Sequence, residues 1–294
     1  MKNIRQFLAV SSLLAATSFA GTLQTDGKNV VIVPDSTSRT EINFRLSTDY
    51  VGKSDFRFDP AGEQDAYHAN IQFGVSVPIK EAVYLTVNGF YDRLDFSTSL
   101  APVPTTLQKL GTDIAIEYRA GGETAFTLIA SPGIYGSEID SDSFNVPITA
   151  YGSFRLTPSL VVVAGARYNQ WSEYQILPSV GLIWTINDQW KVRALATAPR
   201  IEFTPNDDLT ISFGGELLGG TYRTSLDEQN FQGKHLDYYD YRAGLGITYR
   251  GWKPLAVSLT TGWSFERNLR YDDIDVEYRT EGAPYVGFSA KAVF

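Results

Sequence analysis

Pro284-Tyr285-Val286-Gly287-Phe288-Ser289-Ala290-Lys291-Ala292-Val293-Phe294 ends the sequence, and its period decides the reading of the rest. Counted back in twos, Phe294, Ala292, Ala290, Phe288, Val286 and Pro284 are apolar. Of the residues between them, Tyr285, Gly287, Ser289 and Lys291 are small or polar, and Val293 is the exception. A period of two is the mark of a strand with one greasy and one wetter face. Length separates this strand from those of soluble proteins. About ten tilted residues cross a bilayer, whereas a soluble strand usually runs about five or six.

The same alternation runs back to Thr40. Ile42, Phe44, Leu46, Thr48 and Tyr50 share one face, with Glu41, Asn43, Arg45, Ser47 and Asp49 on the other. Tyr67, Ala69, Ile71, Phe73, Val75 and Val77 then oppose His68, Asn70, Gln72, Gly74 and Ser76. Long polar connections alternate with short turns such as Pro78-Ile-Lys-Glu81, Gly121-Gly122, Thr157-Pro-Ser159 and Asn187-Asp188. Tyr, Trp and Phe gather at strand ends, Tyr50, Tyr67, Tyr118, Phe154, Tyr168, Trp184, Trp190, Tyr249, Trp252 and Trp263 among them. A secreted sandwich alternates too. Strand length, alternating loop length and an aromatic girdle together predict an all-β, up-and-down antiparallel transmembrane barrel.

Thirteen strands are plain, and single-chain bacterial barrels carry even numbers. A further crossing is therefore expected in the middle, with Ala198-Pro199 as its tight turn and Arg200–Thr204 as its strand; Gly219-Gly220 is the competing break. Either choice predicts fourteen strands, with twelve or sixteen open if a pair has been split or merged.

A final aromatic on such a strand resembles the outer-membrane β-barrels of Gram-negative bacteria, with Ala292 standing where a second aromatic is common. The resemblance implies that Phe288 and Phe294 serve as the signal read by the barrel-assembly machinery. Trp184 and Trp190 around Asn187-Asp-Gln189, then Pro199 and Gly214-Gly215…Gly219-Gly220-Thr-Tyr-Arg223, are similar to an outer-membrane barrel family known only as a domain of unknown function, over about residues 40–294. That likeness implies location and fold, and carries no catalytic residue with it.

The first residues read differently. Lys2 and Arg5 precede the apolar run Phe7–Ala16, and Ser18-Phe19-Ala20 presents small residues at the two positions a signal peptidase needs. Cleavage after Ala20 is expected, taking the formal charge of −8 to −8 − 2 = −10. Residues 21–39, around Asn29-Val-Val-Ile-Val-Pro34, form either a periplasmic or a lumenal segment, and residues 40–294 the barrel. The chain has no Cys, so no disulfide framework is available. A net negative charge without a basic cluster excludes nucleic acid as the natural partner.

The inner face carries both signs. Arg45, Arg119, Arg155, Arg167, Arg193 and Arg242 stand against Asp49, Asp113, Glu117, Glu216 and Glu266 as candidate lumen-lining residues. A balanced wall argues against strong ion selectivity. It fits a water-containing porin-like channel or transporter for small polar solutes, or a closed barrel filled by ion pairs. The outer loops are acidic (Asp55, Asp59, Glu63 and Asp65; Glu138, Asp140 and Asp142; Asp227, Glu228, Asp237 and Asp240; Asp272, Asp273, Asp275 and Glu277). They suit a solvated rim, or divalent cations bridging to lipopolysaccharide phosphates. No cofactor or resident metal is expected. Of the two His, His68 lies near Asp65, and His235-Leu-Asp237 is expected in a loop; neither shows a nucleophile at the spacing a rim hydrolase requires. The mid-strand faces make one sharp forecast: an Arg is excluded at Leu245 or Leu259 and tolerated at Gly244 or Thr260.

Overall fold

The computed structural model describes residues 40–57, 62–99, 101–120, 123–225 and 231–294. The expected cleavable segment 1–20, the segment 21–39, the Gly121-Gly122 turn, and Asp59, Asp227 and Glu228 lie outside the described residues. Seventeen ladder segments form one sheet, and six of them are the halves of three interrupted strands, so the wall has fourteen strands. These are β1 (Glu41–Asp55), β2 (Glu63–Lys80), β3 (Val83–Phe96), β4 (Thr106–Ala120) and β5 (Thr124–Ala130 with Gly133–Gly136). Then come β6 (Phe144–Asn145 with Ile148–Thr157), β7 (Leu160–Tyr168), β8 (Ile176–Thr185), β9 (Trp190–Leu195) and β10 (Arg200–Asn206). The last four are β11 (Leu209–Arg223), β12 (His235–Trp252), β13 (Leu255–Tyr271) and β14 (Val276–Arg279 with Ala283–Val293).

The sheet closes on itself. β14 lies antiparallel to β1 from Asn43↔Val293 to Val51↔Tyr285. Phe294 then completes the seam, its N–H donating to the Ile42 carbonyl at 2.9 Å while Ile42 N–H donates to its carbonyl at 3.0 Å. Pairing at this seam removes the two edges that β1 and β14 would otherwise leave in lipid.

The hidden crossing falls at Pro199. β9 and β10 pair from Trp190↔Phe203 to Arg193↔Arg200, and Pro199, lacking an N–H, ends that ladder. Gly219-Gly220 makes no break, since β11 runs through both, opposite Tyr239 and Tyr238.

Side-chain burial is inverted relative to a soluble barrel. Leu245 and Leu259, both 55 % exposed, project outward with Phe73, Ile116, Leu128, Phe213 and Phe288. Asn70, Asp92, Arg193, Glu202, Asp240 and Arg242 are buried inside. A continuous apolar outer band around a polar interior is stable only when lipid covers that band.

The strands are unequal in height. β1, β2, β12 and β13 have 15 to 18 residues, β9 and β10 only 6 and 7. About 9–11 residues span the membrane, so the long strands project beyond it. Their projecting ends close into a smaller ring. Gly136 at the top of β5 pairs in parallel with Arg223 at the top of β11, and Ser137 N–H donates to the Arg223 carbonyl at 3.0 Å. This seam bypasses β6 to β10. Inside the ring sits the main hydrophobic core: Val51, Phe56, Leu94, Phe96, Leu107, Tyr222, Leu236, Tyr238, Leu269, Tyr271 and Tyr285, with Ala101 and Val103 from the β3–β4 connection. The outer end of the barrel is therefore packed with apolar side chains.

Candidate functional site: the inner wall

Beneath the apolar core lies a layer of buried ions. Asp49, on the inward face of β1, reaches His68 Nδ1 at 2.9 Å, and His68 Nε2 lies 2.9 Å from Asp92. Asn70 Nδ2 donates to Asp92 at 3.0 Å. Arg242 joins this chain to the other wall, one Nη donating to Asp49 and the other to Asp240, each at 2.7 Å. Asp240 also accepts from Ser264 Oγ at 2.6 Å. One layer up, Arg267 donates to Ser54 Oγ at 2.7 Å and to the Gln64 carbonyl. These side chains come from the inner faces of five strands, β1, β2, β3, β12 and β13. Away from water, Asp49, His68, Asp92, Asp240 and Arg242 meet one another as ion-pair partners.

A second polar zone lies nearer the opposite end. Arg193 Nη2 meets Glu202 at 3.1 Å, both buried. Arg45 faces Glu216 and Arg200 across the lumen. Arg119 pairs with Glu117, and its guanidinium lies 3.7 Å from the centroid of the Tyr84 ring. Asp113 accepts from Ser131 Oγ at 2.6 Å, with Lys109 and Arg167 nearby. Arg155 stands on β6 opposite Val161.

Ten of the eleven lumen-lining candidates thus stand on the inner wall, and Glu266 does not. At the bulge in β13, Arg242 pairs with Ser264 while Tyr241 pairs with Glu266, so one extra residue, Phe265, occupies the strand. A single inserted residue reverses every later side chain. Glu266 consequently shares the outer face with Tyr241 and binds Arg57 at 2.9 Å, while Arg267 turns inward. Strict alternation hid Glu202, Lys109 and Arg267 for three reasons: a short strand, a strand begun too late, and that bulge. Asp240, which falls both among the rim acids and on the inward set with Arg242, Gly244, Gly246 and Thr248, is wholly buried on the inner wall of β12.

The outer acids are largely ion-paired. Arg270 meets Glu173 at 3.1 Å and Asp272 at 2.8 Å, Arg223 meets Asp142 at 3.6 Å, and Arg279 meets Glu277 at 2.8 Å. Partial burial pushes the Glu173 carboxyl upward from its ordinary value, against the pull of Arg270. Among the described residues no group of three or more acids and histidines is placed to hold a metal ion. His235 is not in a loop: it opens β12, pairs opposite Arg223, lies against the Trp171 ring at 5.0 Å, and has Asp273 3.4 Å away. Asp237 instead turns to Thr221 and is buried. His68 is partnered by Asp49 and Asp92 in place of Asp65. Both imidazoles are thus engaged by carboxylates or an aromatic ring, with no hydroxyl nucleophile bonded to either among the described residues.

A closed, lipid-faced, fourteen-stranded barrel with a charged interior is the architecture of the outer-membrane β-barrel class. Residues 14–212 match the family described as TonB dependent receptor-like, beta-barrel; this spans more than half of the chain, which belongs to that family. No curated protein matches the sequence. Among solved structures, the chain is similar to an outer-membrane channel of Pseudomonas putida F1, at 9 % identity and TM-score 0.49, covering 92 % of this chain and 100 % of that one. It is also similar to the toluene transporter TodX of Pseudomonas putida, at 11 % identity and TM-score 0.49, covering 95 % and 94 %. A third similar structure is the translocator domain of the autotransporter NalP from Neisseria meningitidis, at 10 % identity and TM-score 0.39, covering 88 % and 90 %.

Proposed function

We propose that the protein is an outer-membrane barrel of the channel or transporter type, passing small solutes that carry polar groups. The observation that carries this reading is the inner wall at membrane depth. Fourteen strands enclose a wide cross-section, and eight already suffice to fill a barrel with side chains. That wall carries Arg45, Asp113, Arg119, Arg167, Arg193 and Glu216, so a solute's lost hydration is replaced by fixed charges of both signs. Nothing in this role needs a nucleophile or a cofactor. The refolded chain in a planar bilayer is expected to give discrete conductance steps with anions modestly favoured over cations, because Arg outnumbers carboxylates on this wall once Glu266 is off it. A clear preference for cations would overturn this reading of the wall. Silence from a folded protein would favour a second reading, a closed barrel, for which the apolar core at the outer end is the specific support.

A role for Phe294 as the residue read by the assembly machinery would place that signal on the side chain whose backbone locks β14 to β1. Phe294→Ala is expected to slow assembly severalfold, read as the yield of heat-modifiable barrel in cells. Refolding in detergent should change far less, and an equal loss in both would mean the side chain acts on stability alone.

A further inference from the structure

The wall is incomplete between β8 and β11. β9 has six residues, a rise of about 15 Å at the usual tilt, against an apolar band about 25 Å tall. The turn at residues 196–199 therefore lies inside the membrane. β8 pairs with β9 only from Gly181↔Leu195 to Thr185↔Lys191, so among the described residues its upper half, 176–180, has a partner strand only on the β7 side. Across the gap, the edge of β11 is met by the turn as far as Leu217, whose N–H donates to the Thr197 carbonyl at 2.8 Å. Above that point the Gly219 carbonyl is taken by Lys109 Nζ at 3.0 Å, and β11 next pairs at Arg223. The β7–β8 connection bridges the top, tied to β12 by Trp171 on His235 and to β13 by Glu173 on Arg270.

Open edges at this depth cost several kcal/mol per unmet group unless they line a cavity. Three details reduce that cost here. Odd-numbered β8 residues bond toward β7, as the bonds Asn169 N–H to Gln175 and Thr185 N–H to Ser159 show, so even-numbered residues face the gap. One of those is Pro178, which has no N–H to leave unmet. Pro199 likewise has none at the turn, and Lys109 caps a carbonyl. A small cleft of about 20 Å³ sits at this place, lined by Tyr151, Val163, Ser179, Val180, Leu195 and Thr197. Along this edge Ser179 points inward, while Val180, 68 % exposed, points to lipid. Arg167 lies two residues above the cleft residue Gly165 on the same inner face of β7.

We propose that the gap between β8 and β11 is a lateral portal, through which small amphipathic molecules exchange between the lumen and the bilayer. This deepens the transport reading and rests on it. The apolar core crowds the outer end, Tyr151, Val163, Val180 and Leu195 give the gap an apolar lining, and Arg167, Lys109 and Asp113 behind it carry charge. A molecule with both parts suits that sequence better than a sugar or a simple ion.

The chain has no Cys, so single cysteines can be labelled without a background. A small environment-sensitive fluorophore would be placed at Ser179→Cys in the cleft, at Val180→Cys on the lipid face, and at Ser258→Cys on the inner wall of β13. Quenching is read with a phospholipid doxyl-labelled at mid-chain and, separately, with iodide. The lipid quencher is expected to reach the Ser179 label at least half as well as the Val180 label, and at least threefold better than the Ser258 label. A Ser179 label that behaves like the Ser258 label, or that neither quencher reaches, overturns the portal. Thr197→Cys gives the same reading if the Ser179 variant does not fold. Conductance is measured separately, so a silent bilayer defeats axial conduction without touching this result.

Discussion

Arg242→Ala is expected to destabilise the folded barrel by about 3–5 kcal/mol, the usual cost of removing one partner from a buried ion pair. Its two guanidinium contacts, 2.7 Å each to Asp49 and Asp240, are the link between β1 and β12 across the interior. Removing it leaves two buried carboxylates without their shared cation, Asp49 with His68 and Asp240 with the hydroxyls of Ser264 and Tyr238. Arg270→Ala removes a similar number of contacts from the partly exposed outer end of β13. It should cost about 1 kcal/mol or less, because water already screens those partners. Urea unfolding of refolded protein in lipid, followed by Trp fluorescence, compares the two. Equal losses would show that water fills this layer and that the interior is open far more widely than its burial indicates. A second variant isolates the cause: adding Asp240→Asn to Arg242→Ala should recover part of the loss, since one stranded charge is gone.

That layer shows what alternation could and could not reveal. Asp49, His68, Asp92 and Arg242 fall on the inward set by simple counting, because β1, β2, β3 and the lower part of β12 keep an unbroken period of two. The fourteen-strand wall was legible for the same reason, helped by the rule of even numbers and by Pro199. Counting fails where a strand gains a residue. Phe265 is apolar and sits correctly for the run before it, so nothing in the sequence marks it as the bulge that sends Glu266 out and Arg267 in. The outer core was illegible for another reason. Val51, Leu94, Leu107 and Leu236 lie on the polar-facing set, as apolar residues on the wrong face. Only the unequal heights of the strands, and the seam from Gly136 to Arg223, explain why a membrane barrel buries them there. The portal has the same origin: the six residues of β9 become a gap only because β8 before them runs to 10 residues and β11 beyond them to 15.

Register on the lipid face is tested by neighbours on one strand. Leu259→Arg is expected to lower stability by about 2–4 kcal/mol, the cost of a cation near the bilayer midplane. Leu259 pairs with Ile247 on one side and Phe288 on the other, and all three project into lipid, so the guanidinium has no polar group within its own row. Leu245→Arg should behave alike. Thr260→Arg, one position on, points inward between Gly246 and Gly287, where the absence of side chains leaves room for a long one. Its cost should stay below about 1 kcal/mol, since the inner wall already holds charge. Gly244, the other inward position expected to accept Arg, cannot do so. A Cβ there would lie 2.3 Å from the Thr261 carbonyl oxygen and 2.6 Å from the Tyr285 hydroxyl, and the carbonyl belongs to a paired strand that cannot shift alone. Gly244→Ala should therefore already impair assembly, while Thr260→Arg assembles. Folded yield in lipid vesicles, read by heat-modifiable migration, orders the variants as Thr260→Arg above Leu245→Arg and Leu259→Arg. The reverse order would place Thr260 in the lipid and invert the face of every residue between the turn at Trp252 and the bulge at Phe265.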